Sequence, residues 1–253
     1  MLRTVRRAVP LALRGLRRGL VGGLGLGGLL LLAACSYRGD LETPFAQKLT
    51  WFSLLNGDDI RAACHAGAPD RIRVVYNGRY QEQLRVYDLV ASDPSGPNAG
   101  GAELTARVQD AASYGKLGSV DLSTPLSAWQ WQKAQASLDA EEFQRLERTL
   151  EQAGLGQKPP VGTELRSTRF YWIAIACAGG KVWFQAWQAP QTDVTRLPFV
   201  SLLLGADHTG VPFNAPRPLS AAETATAQPG PEREQDYKAF SLKVTENGLG
   251  GLI

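Results

Sequence analysis

The side chains best suited to acid–base or nucleophilic chemistry are two histidines, His65 and His208, and two cysteines, Cys64 and Cys177. Cys64 and His65 do not make a facing nucleophile–base pair, because adjacent residues of a helix point in different directions. Asp207 precedes His208, but the sequence assigns no nucleophile to this acid–histidine pair. The sequence therefore predicts no catalytic residue, and a hydrolase that uses His65 or His208 with a neighbouring Asp stays open as the alternative function.

A third cysteine, Cys35, ends an N-terminal segment that has the three parts of a secretory signal. Six arginines without an acidic residue come first, followed by an apolar stretch over residues 20–32 and then by small residues. A transmembrane helix needs about 20 consecutive apolar residues, whereas this stretch has 13, of which five are glycines. A cleaved signal is therefore favoured over a permanent single-span anchor.

The run Leu32-Ala33-Ala34-Cys35 resembles the lipobox of bacterial lipoprotein precursors, and the resemblance covers residues 1–35. It implies that residues 1–34 are removed, that the sulfur of Cys35 carries a diacylglyceryl group, and that an acyl chain such as palmitate modifies the new amino terminus. Two or more acyl chains hold a protein on a bilayer. Ser36 stands where an Asp would resemble an inner-membrane retention signal. We therefore expect the periplasmic face of the outer membrane, with the inner membrane as the alternative.

Removal of this signal changes the sign of the net charge. The whole chain is formally +3, whereas the 219 residues from Cys35 onward carry 21 Lys and Arg against 24 Asp and Glu. A slightly acidic chain lacks the basic footprint of a nucleic-acid-binding protein. The motif G-x-G-x-x-G at residues 23–28 lies within the signal and so does not indicate a dinucleotide site. No cofactor and no metal site are predicted.

Cys64 and Cys177 remain after the signal is removed, and both would face an oxidising compartment in which disulfides persist. An even pair predicts one bridge between them. Two buried free thiols are the alternative.

The pattern of apolar residues predicts an α+β fold with a mostly antiparallel sheet and one principal helix, at about residues 139–153, packed on it. Asp139 and Glu142 form a capping box at the start of this helix, and Phe143, Leu146 and Leu150 form its apolar stripe. Residues 195–204 predict a further strand. A small β-barrel is the alternative architecture.

The same pattern divides the chain into segments. They are a cleaved signal at 1–34, a lipidated tether at 35–47, a globular domain at 48–212, an irregular Pro/Ala/Thr-rich segment at 213–235, a C-terminal strand of the same domain at 236–246 and a flexible tail at 247–253.

Asn77-Gly78 predicts a hairpin over residues 71–90, with a three-residue loop that ends in Gly78 and places Val74 opposite Tyr80. One face of this hairpin would be polar and most simply solvated, with a patch for anionic lipid or glycan as the alternative. Its residues are Arg71, Arg73, Gln81, Gln83 and Arg85.

Gly179-Gly180 predicts a second hairpin, with a two-residue turn that places Trp172 opposite Trp187 and Ala176 opposite Trp183. One face of this hairpin carries three indoles around small side chains and the amide of Gln185. The principal helix could cover this face. Alternatively, Trp172, Trp183, Gln185 and Trp187 line an aromatic groove that stacks on a sugar or a hydrophobic peptide.

Taken with the lipobox, these features predict a lipid-anchored, non-catalytic binding or assembly module on the periplasmic side of the cell envelope. The expected partners are the membrane, reached through the anchor at Cys35, and an envelope protein or glycan.

Overall fold

The computed structural model describes residues 44–80, 82–110, 131–218, 220–221 and 240–252. The helices are α1 (Pro44–Asn56), α2 (Asp58–Ala63), α3 (Ala140–Gln152) and α4 (Val200–Gly205). The strands are β1 (Arg71–Gly78), β2 (Gln83–Ala91), β3 (Ala102–Asp110), β4 (Gln132–Leu138), β5 (Glu164–Arg166), β6 (Phe170–Ala178), β7 (Lys181–Gln188), β8 (Ser241–Thr245) and β9 (Gly248–Leu252). In this part of the chain no helix combines the length and the apolar character that crossing a membrane requires.

Six strands form an antiparallel sheet in the order β4-β3-β2-β1-β6-β7, and β5, β8 and β9 form a small second sheet. The α+β prediction with a mostly antiparallel sheet is confirmed. The large sheet is open, because its edge strands β4 and β7 do not pair with each other. The alternative of a small barrel was therefore wrong for the described residues.

Both faces of the large sheet are covered. On one face α3 and α4 pack through Phe143, Leu146 and Leu203 in a core that also contains Trp172 and Tyr87. On the other face α1, α2 and the small sheet contribute to a second core. The central strands are accordingly buried along their length, and β6 is buried at eight of nine positions. The central strands, buried on both sides, therefore leave no solvated face for their charged residues.

The principal helix begins as predicted. The Asp139 carboxylate accepts a hydrogen bond from the Glu142 backbone N–H at 2.9 Å, and the Glu142 carboxylate accepts one from the Asp139 backbone N–H at 3.0 Å. This reciprocal capping box satisfies donors that the first turn of a helix leaves free. The apolar stripe of Phe143, Leu146 and Leu150 is buried against the sheet.

The first hairpin differs from its predicted register. Val74 pairs with Tyr87, and Asn77 pairs with Leu84, so the turn lies after Gly78 and not at Asn77-Gly78. The reason is a tertiary contact, because the Asn77 side-chain amide donates to the carbonyl oxygens of Ser167 and Arg169 at 3.0 and 2.6 Å. That contact holds Asn77 within β1, and the chain reverses at Arg79, which has φ 62°.

The prediction that one face of this hairpin is polar and solvated was also wrong. Arg73 and Arg85 lie on opposite faces of the sheet, and each is 1% exposed. Gln83 is buried as well, and Arg71 is partly exposed. Gln81 lies outside the described residues. The register places charged side chains in both cores, where each needs a partner.

The second hairpin has the predicted register, with Trp172 opposite Trp187 and Ala176 opposite Trp183. The predicted bridge is present as well, since the sulfur atoms of Cys64 and Cys177 are 2.05 Å apart. It joins the residue that follows α2 to β6. The nearby turn is held by Asp70, whose carboxylate accepts a hydrogen bond from the Gly179 N–H at 2.9 Å.

The segment predicted as a strand at residues 195–204 instead contains α4. Three consecutive leucines do not reveal a period, and the helix forms because it turns Val200 and Leu203 onto the sheet face that carries Trp172. Phe199, which precedes this helix, stacks edge-on against Trp172 with ring centroids 5.7 Å apart. The long-range packing therefore decides the element.

The chain ends also differ from prediction. α1 begins at Pro44, within the predicted tether. Residues 213–218 are irregular as predicted, whereas 219, 222–239 and 253 lie outside the described residues. The predicted C-terminal strand is present as β8, with Leu242 and Val244 buried. The tail was wrongly predicted as flexible, because β9 pairs with β8 and the Leu249 N–H donates to the Asn56 side-chain oxygen at 2.9 Å.

Replacing both bridged cysteines, as Cys64→Ser with Cys177→Ser, is expected to lower the free energy of unfolding by about 4–5 kcal/mol in the chain-entropy model. The reason is that the bridge closes a loop of 113 residues in sequence separation. Urea unfolding followed by tryptophan fluorescence measures the change. The unchanged protein in a thiol reductant is the control, and equal midpoints with and without the bridge would contradict the prediction.

Candidate functional site

The four residues predicted to line an aromatic groove do not form an open site. Trp172 is fully buried, Gln185 and Trp187 are each 7% exposed, and Trp183 is 36% exposed. All four lie on the same sheet face, and the first three are covered there, as expected if the principal helix packs on this face. The structure therefore brings Trp172, Gln185 and Trp187 close together, but within the protein core.

The polar groups of this face are used by the end of the helix that covers it. The Trp187 indole N–H donates to the Ala153 carbonyl at 2.8 Å, and the Gln185 amide donates to the Gly154 carbonyl at 2.9 Å. The last carbonyls of a helix have no partner within the helix. Trp187 and Gln185 therefore satisfy the C-terminal end of α3, and the Trp172 N–H donates to the Val194 carbonyl at 3.0 Å.

The two histidines lie at the surface. His65 is exposed, with its Nδ1 atom 3.0 Å from the Ala66 carbonyl oxygen. His208 is also exposed, and in the described part of the chain neither histidine pairs with a carboxylate. Among these residues no three His, Cys, Asp or Glu side chains are grouped so that they could hold a metal ion. Cys35 lies outside the described residues.

Asp207 turns away from His208 and into the protein, where it meets the buried guanidinium of Arg85 at 2.6 Å. The other donors of Arg85 are also used. Its Nη2 atom donates to the carbonyl oxygens of Val211 and Pro212 at 2.6 and 2.7 Å, and its Nε atom donates to the Gln83 side-chain oxygen at 2.8 Å. A buried charge is tolerated when it is paired and hydrogen-bonded in this way.

Residues 207–218, which we call the strap, cross the sheet face above Arg85. Phe213 packs against Tyr76 and Trp172 at ring-centroid distances of 4.9 and 6.3 Å. The Tyr76 hydroxyl donates to the Asn214 carbonyl at 2.7 Å, and the Gln83 amide donates to the Pro212 carbonyl at 2.8 Å. The strap has no regular hydrogen-bond pattern of its own, so these side chains fix its path.

The end of the strap forms one wall of a cleft of about 430 Å³, which we call the arginine–proline cleft. Its lining consists of two arginines, three prolines, a phenylalanine and an alanine: Arg169, Phe170, Ala189, Pro190, Pro216, Arg217 and Pro218. Phe170 and Ala189 are adjacent at the open end of the β6–β7 pair, where the Ala189 N–H donates to the Phe170 carbonyl at 3.0 Å. A cleft of this size lies within the range of small-molecule sites.

The two arginines of the cleft differ in their pairing. Arg217 donates to the Glu82 carboxylate at 2.9 Å, and Glu82 also accepts from Arg79 at 2.6 Å. Arg169 is half-buried and makes no ion pair within the described residues. The cleft thus joins an apolar lining to a guanidinium group that has no carboxylate partner in the described part of the chain.

Arg73 on the opposite face repeats the arrangement of Arg85. It makes two hydrogen bonds to Asp59, at 2.7 and 2.9 Å, and one to Asp88 at 2.6 Å. Asp88 also accepts from Arg107 at 2.8 Å. This network fastens α2, which carries Asp59, to the sheet.

Both buried arginines change the ionisation of their acids. Burial disfavours the Asp59 carboxylate, but the hydrogen bonds and charge of Arg73 outweigh it and lower the pKa of Asp59. Burial likewise opposes ionisation of Asp207, while hydrogen bonds from Thr209 and Tyr87 and the charge of Arg85 lower its pKa. Both acids are therefore stabilised as carboxylates in the folded protein.

The residues of the cleft and the buried arginines were not identified from the sequence. One signal could have revealed Arg85, because the apolar neighbours Leu84, Val86, Tyr87 and Leu89 occupy both faces of β2 and leave no polar face. No comparable signal joins Arg169 to Arg217, which are brought together by the strap. Neither family models, nor curated proteins, nor solved structures gave a match to this chain.

Asp207→Asn is expected to lower the free energy of unfolding by about 3–5 kcal/mol, because it removes the charge partner of a buried arginine. Asp193→Asn is the matched control. Asp193 accepts the same two hydrogen bonds from the threonine two residues later that Asp207 does, but its side chain is 56% exposed and it contacts no buried arginine. Urea unfolding of the two variants should separate them clearly, and equal destabilisation would contradict the role of Arg85.

Stability is also expected to depend on pH through Asp59 and Asp207. The pKa of each carboxyl is lower in the folded protein than its ordinary value of about 3.9. As the pH is lowered, the unfolded chain therefore takes up these protons at a higher pH than the folded protein does. Their contribution is complete above this ordinary value and is lost as the pH falls through the folded pKa. Urea midpoints are measured between pH 7 and pH 3. At pH values below about 4 the midpoint should decrease as the pH is lowered, and this decrease should be less steep for Asp207→Asn. Parallel curves for the two proteins would contradict this.

Proposed function

We propose that this protein is a lipid-anchored, non-catalytic binding or assembly module of the bacterial cell envelope. Its anchor is Cys35, and its location is the periplasmic face of the outer membrane. Two features support this proposal. The run Leu32-Ala33-Ala34-Cys35 resembles a lipobox, and the bridge between Cys64 and Cys177 suits an oxidising compartment.

The observation that carries the binding role is the arginine–proline cleft. Its walls are prolines and aliphatic or aromatic carbon, and its polar groups are guanidinium groups. Guanidinium groups recognise anions through a rigid fork of donors but do not serve as nucleophiles or general bases at neutral pH. The chemistry of the cleft is therefore recognition, with an envelope protein or glycan as the wider partner of the module.

Among the described residues, the contacts of Asp207 and of the two histidines do not favour the hydrolase alternative. The Asp207 carboxylate is engaged by Arg85, Tyr87 and Thr209, so it is not available to orient His208. His65 contacts a backbone carbonyl.

Cys35→Ser is expected to release the protein from the membrane, because a serine oxygen cannot take the place of the sulfur that carries the diacylglyceryl group. Membrane and soluble fractions are compared by immunoblot, together with labelling by radioactive palmitate. The Cys35→Ser variant should lose the palmitate label and leave the membrane fraction. The unchanged protein should band with the outer membrane in a density gradient.

The matched control replaces the other two cysteines, Cys64→Ser with Cys177→Ser, and should keep both the label and the membrane association. Continued membrane association and labelling of Cys35→Ser would overturn the anchor. If the unchanged protein bands with the inner membrane, the proposed outer-membrane location is wrong, but the proposed anchor at Cys35 is not affected.

A further inference from the structure

We propose that the arginine–proline cleft binds a small amphiphilic carboxylate, such as a medium-chain fatty acid, with the carboxylate on Arg169 and the hydrocarbon chain along the proline wall. This inference rests on the proposed binding function and names the ligand class of the same site.

The charge of the cleft favours a single anionic group. Arg217 shares the Glu82 carboxylate with Arg79, so its charge is balanced inside the protein. Arg169 has no such carboxylate among the described residues. One guanidinium without an acid partner matches a monoanion, and a planar carboxylate accepts two parallel hydrogen bonds from its fork. A multiply charged phosphate would need more cationic groups than the cleft offers.

Arg169 is held in place by its own backbone. Its carbonyl oxygen accepts a hydrogen bond from the Asn77 side chain at 2.6 Å, and its backbone N–H donates to the Arg166 carbonyl at 2.9 Å. The next residue, Phe170, is 4% exposed and begins β6. The Arg169 backbone is therefore held in place at the edge of the cleft, so binding does not have to order this part of the main chain.

The rest of the lining requires an apolar body on the ligand. Ala189, Pro190, Pro216 and Pro218 offer carbon surface and no side-chain donor or acceptor. Proline walls are also rigid, since the ring fixes φ. A polar ligand such as a sugar would leave most of its hydroxyl groups without partners on these walls, and this argues against a glycan in the cleft itself.

The strap couples this cleft to the buried ion pair. Pro216, Arg217 and Pro218 begin two residues after Asn214, which donates to the Gly78 carbonyl and the Glu82 carboxylate at 3.0 and 2.9 Å. The carboxylate of Glu82 thus positions both the strap and Arg217. The wall is in place before a ligand arrives, as most small-molecule sites are.

The test is a titration of the protein with octanoate, butanoate and octan-1-ol, followed by the backbone amide NMR signals of Phe170 and Ala189. Octanoate should bind at least tenfold more tightly than butanoate, because each buried methylene contributes a factor of about four. Octan-1-ol has the same chain without the charge, and it should bind about tenfold more weakly than octanoate.

Arg169→Gln should weaken octanoate binding about tenfold and leave octan-1-ol binding unchanged. The matched control is Arg196→Gln, which removes the same charge from a side chain that is 87% exposed and does not line the cleft. This control should bind octanoate as the unchanged protein does. Near-ultraviolet circular dichroism of the tryptophans checks that both variants are folded.

The outcomes separate this inference from the proposed function. Equal binding of octanoate and octan-1-ol, or equal binding by Arg169→Gln and the unchanged protein, would overturn the carboxylate site while leaving a binding cleft. Absence of shifts at Phe170 and Ala189 with every probe would overturn this inference and remove the observation on which the binding role rests. The comparison of ligands on the unchanged protein decides the question even if Arg169→Gln fails to fold.

Discussion

The guanidinium group of Arg85 lies in the core, and the hydrogen bonds it lost on leaving water must be replaced there. Asp207 supplies the opposite charge, and the carbonyl oxygens of Val211 and Pro212 supply further acceptors. All three belong to the strap. A segment without helix or strand structure is in this way fixed across the sheet, and it closes the core that contains Trp172 and Phe213. The strap then continues into the wall of the cleft, so the position of the candidate site follows from the pairing of one buried charge.

The same constraint acts on the other face. Helices cover one side of the sheet, and helices with the second sheet cover the other. Arg73 is therefore buried, and Asp59 and Asp88 neutralise its charge. Each buried arginine is bound by a segment outside the sheet: Arg73 by α2, which precedes β1 in the chain, and Arg85 by the strap, 122 residues away at Asp207. Ion pairs of this kind are poor sources of net stability, because desolvation offsets the attraction. Their effect here is to fix which segments lie over the sheet.

Coverage of the central strands also determines where a ligand can bind. The indoles of Trp172 and Trp187 would make a strong binding surface if they were exposed, but α3 lies over this face. The Trp187 indole and the Gln185 amide donate to backbone carbonyls at the C-terminal end of α3, and the Trp172 indole donates to the Val194 carbonyl. An accessible concave surface of the described residues lies instead at the end of the β6–β7 pair, where the last residues of the strap meet Arg169.

Signals confined to a few neighbouring residues were enough to place two elements. The Gly179-Gly180 turn set the register of one hairpin, and the capping box at Asp139 set the start of α3. The even number of cysteines left after the signal predicted the bridge between Cys64 and Cys177. Tertiary structure decided the first hairpin, α4 and β9, because Asn77, Leu203 and Leu249 take their positions from partners far along the chain. It also decided the candidate site. A charged residue within an apolar strand can be recognised from the sequence as costly to bury. Which distant carboxylate neutralises it depends on three-dimensional packing. For Arg85 that carboxylate belongs to the strap, and the strap in turn forms one wall of the cleft.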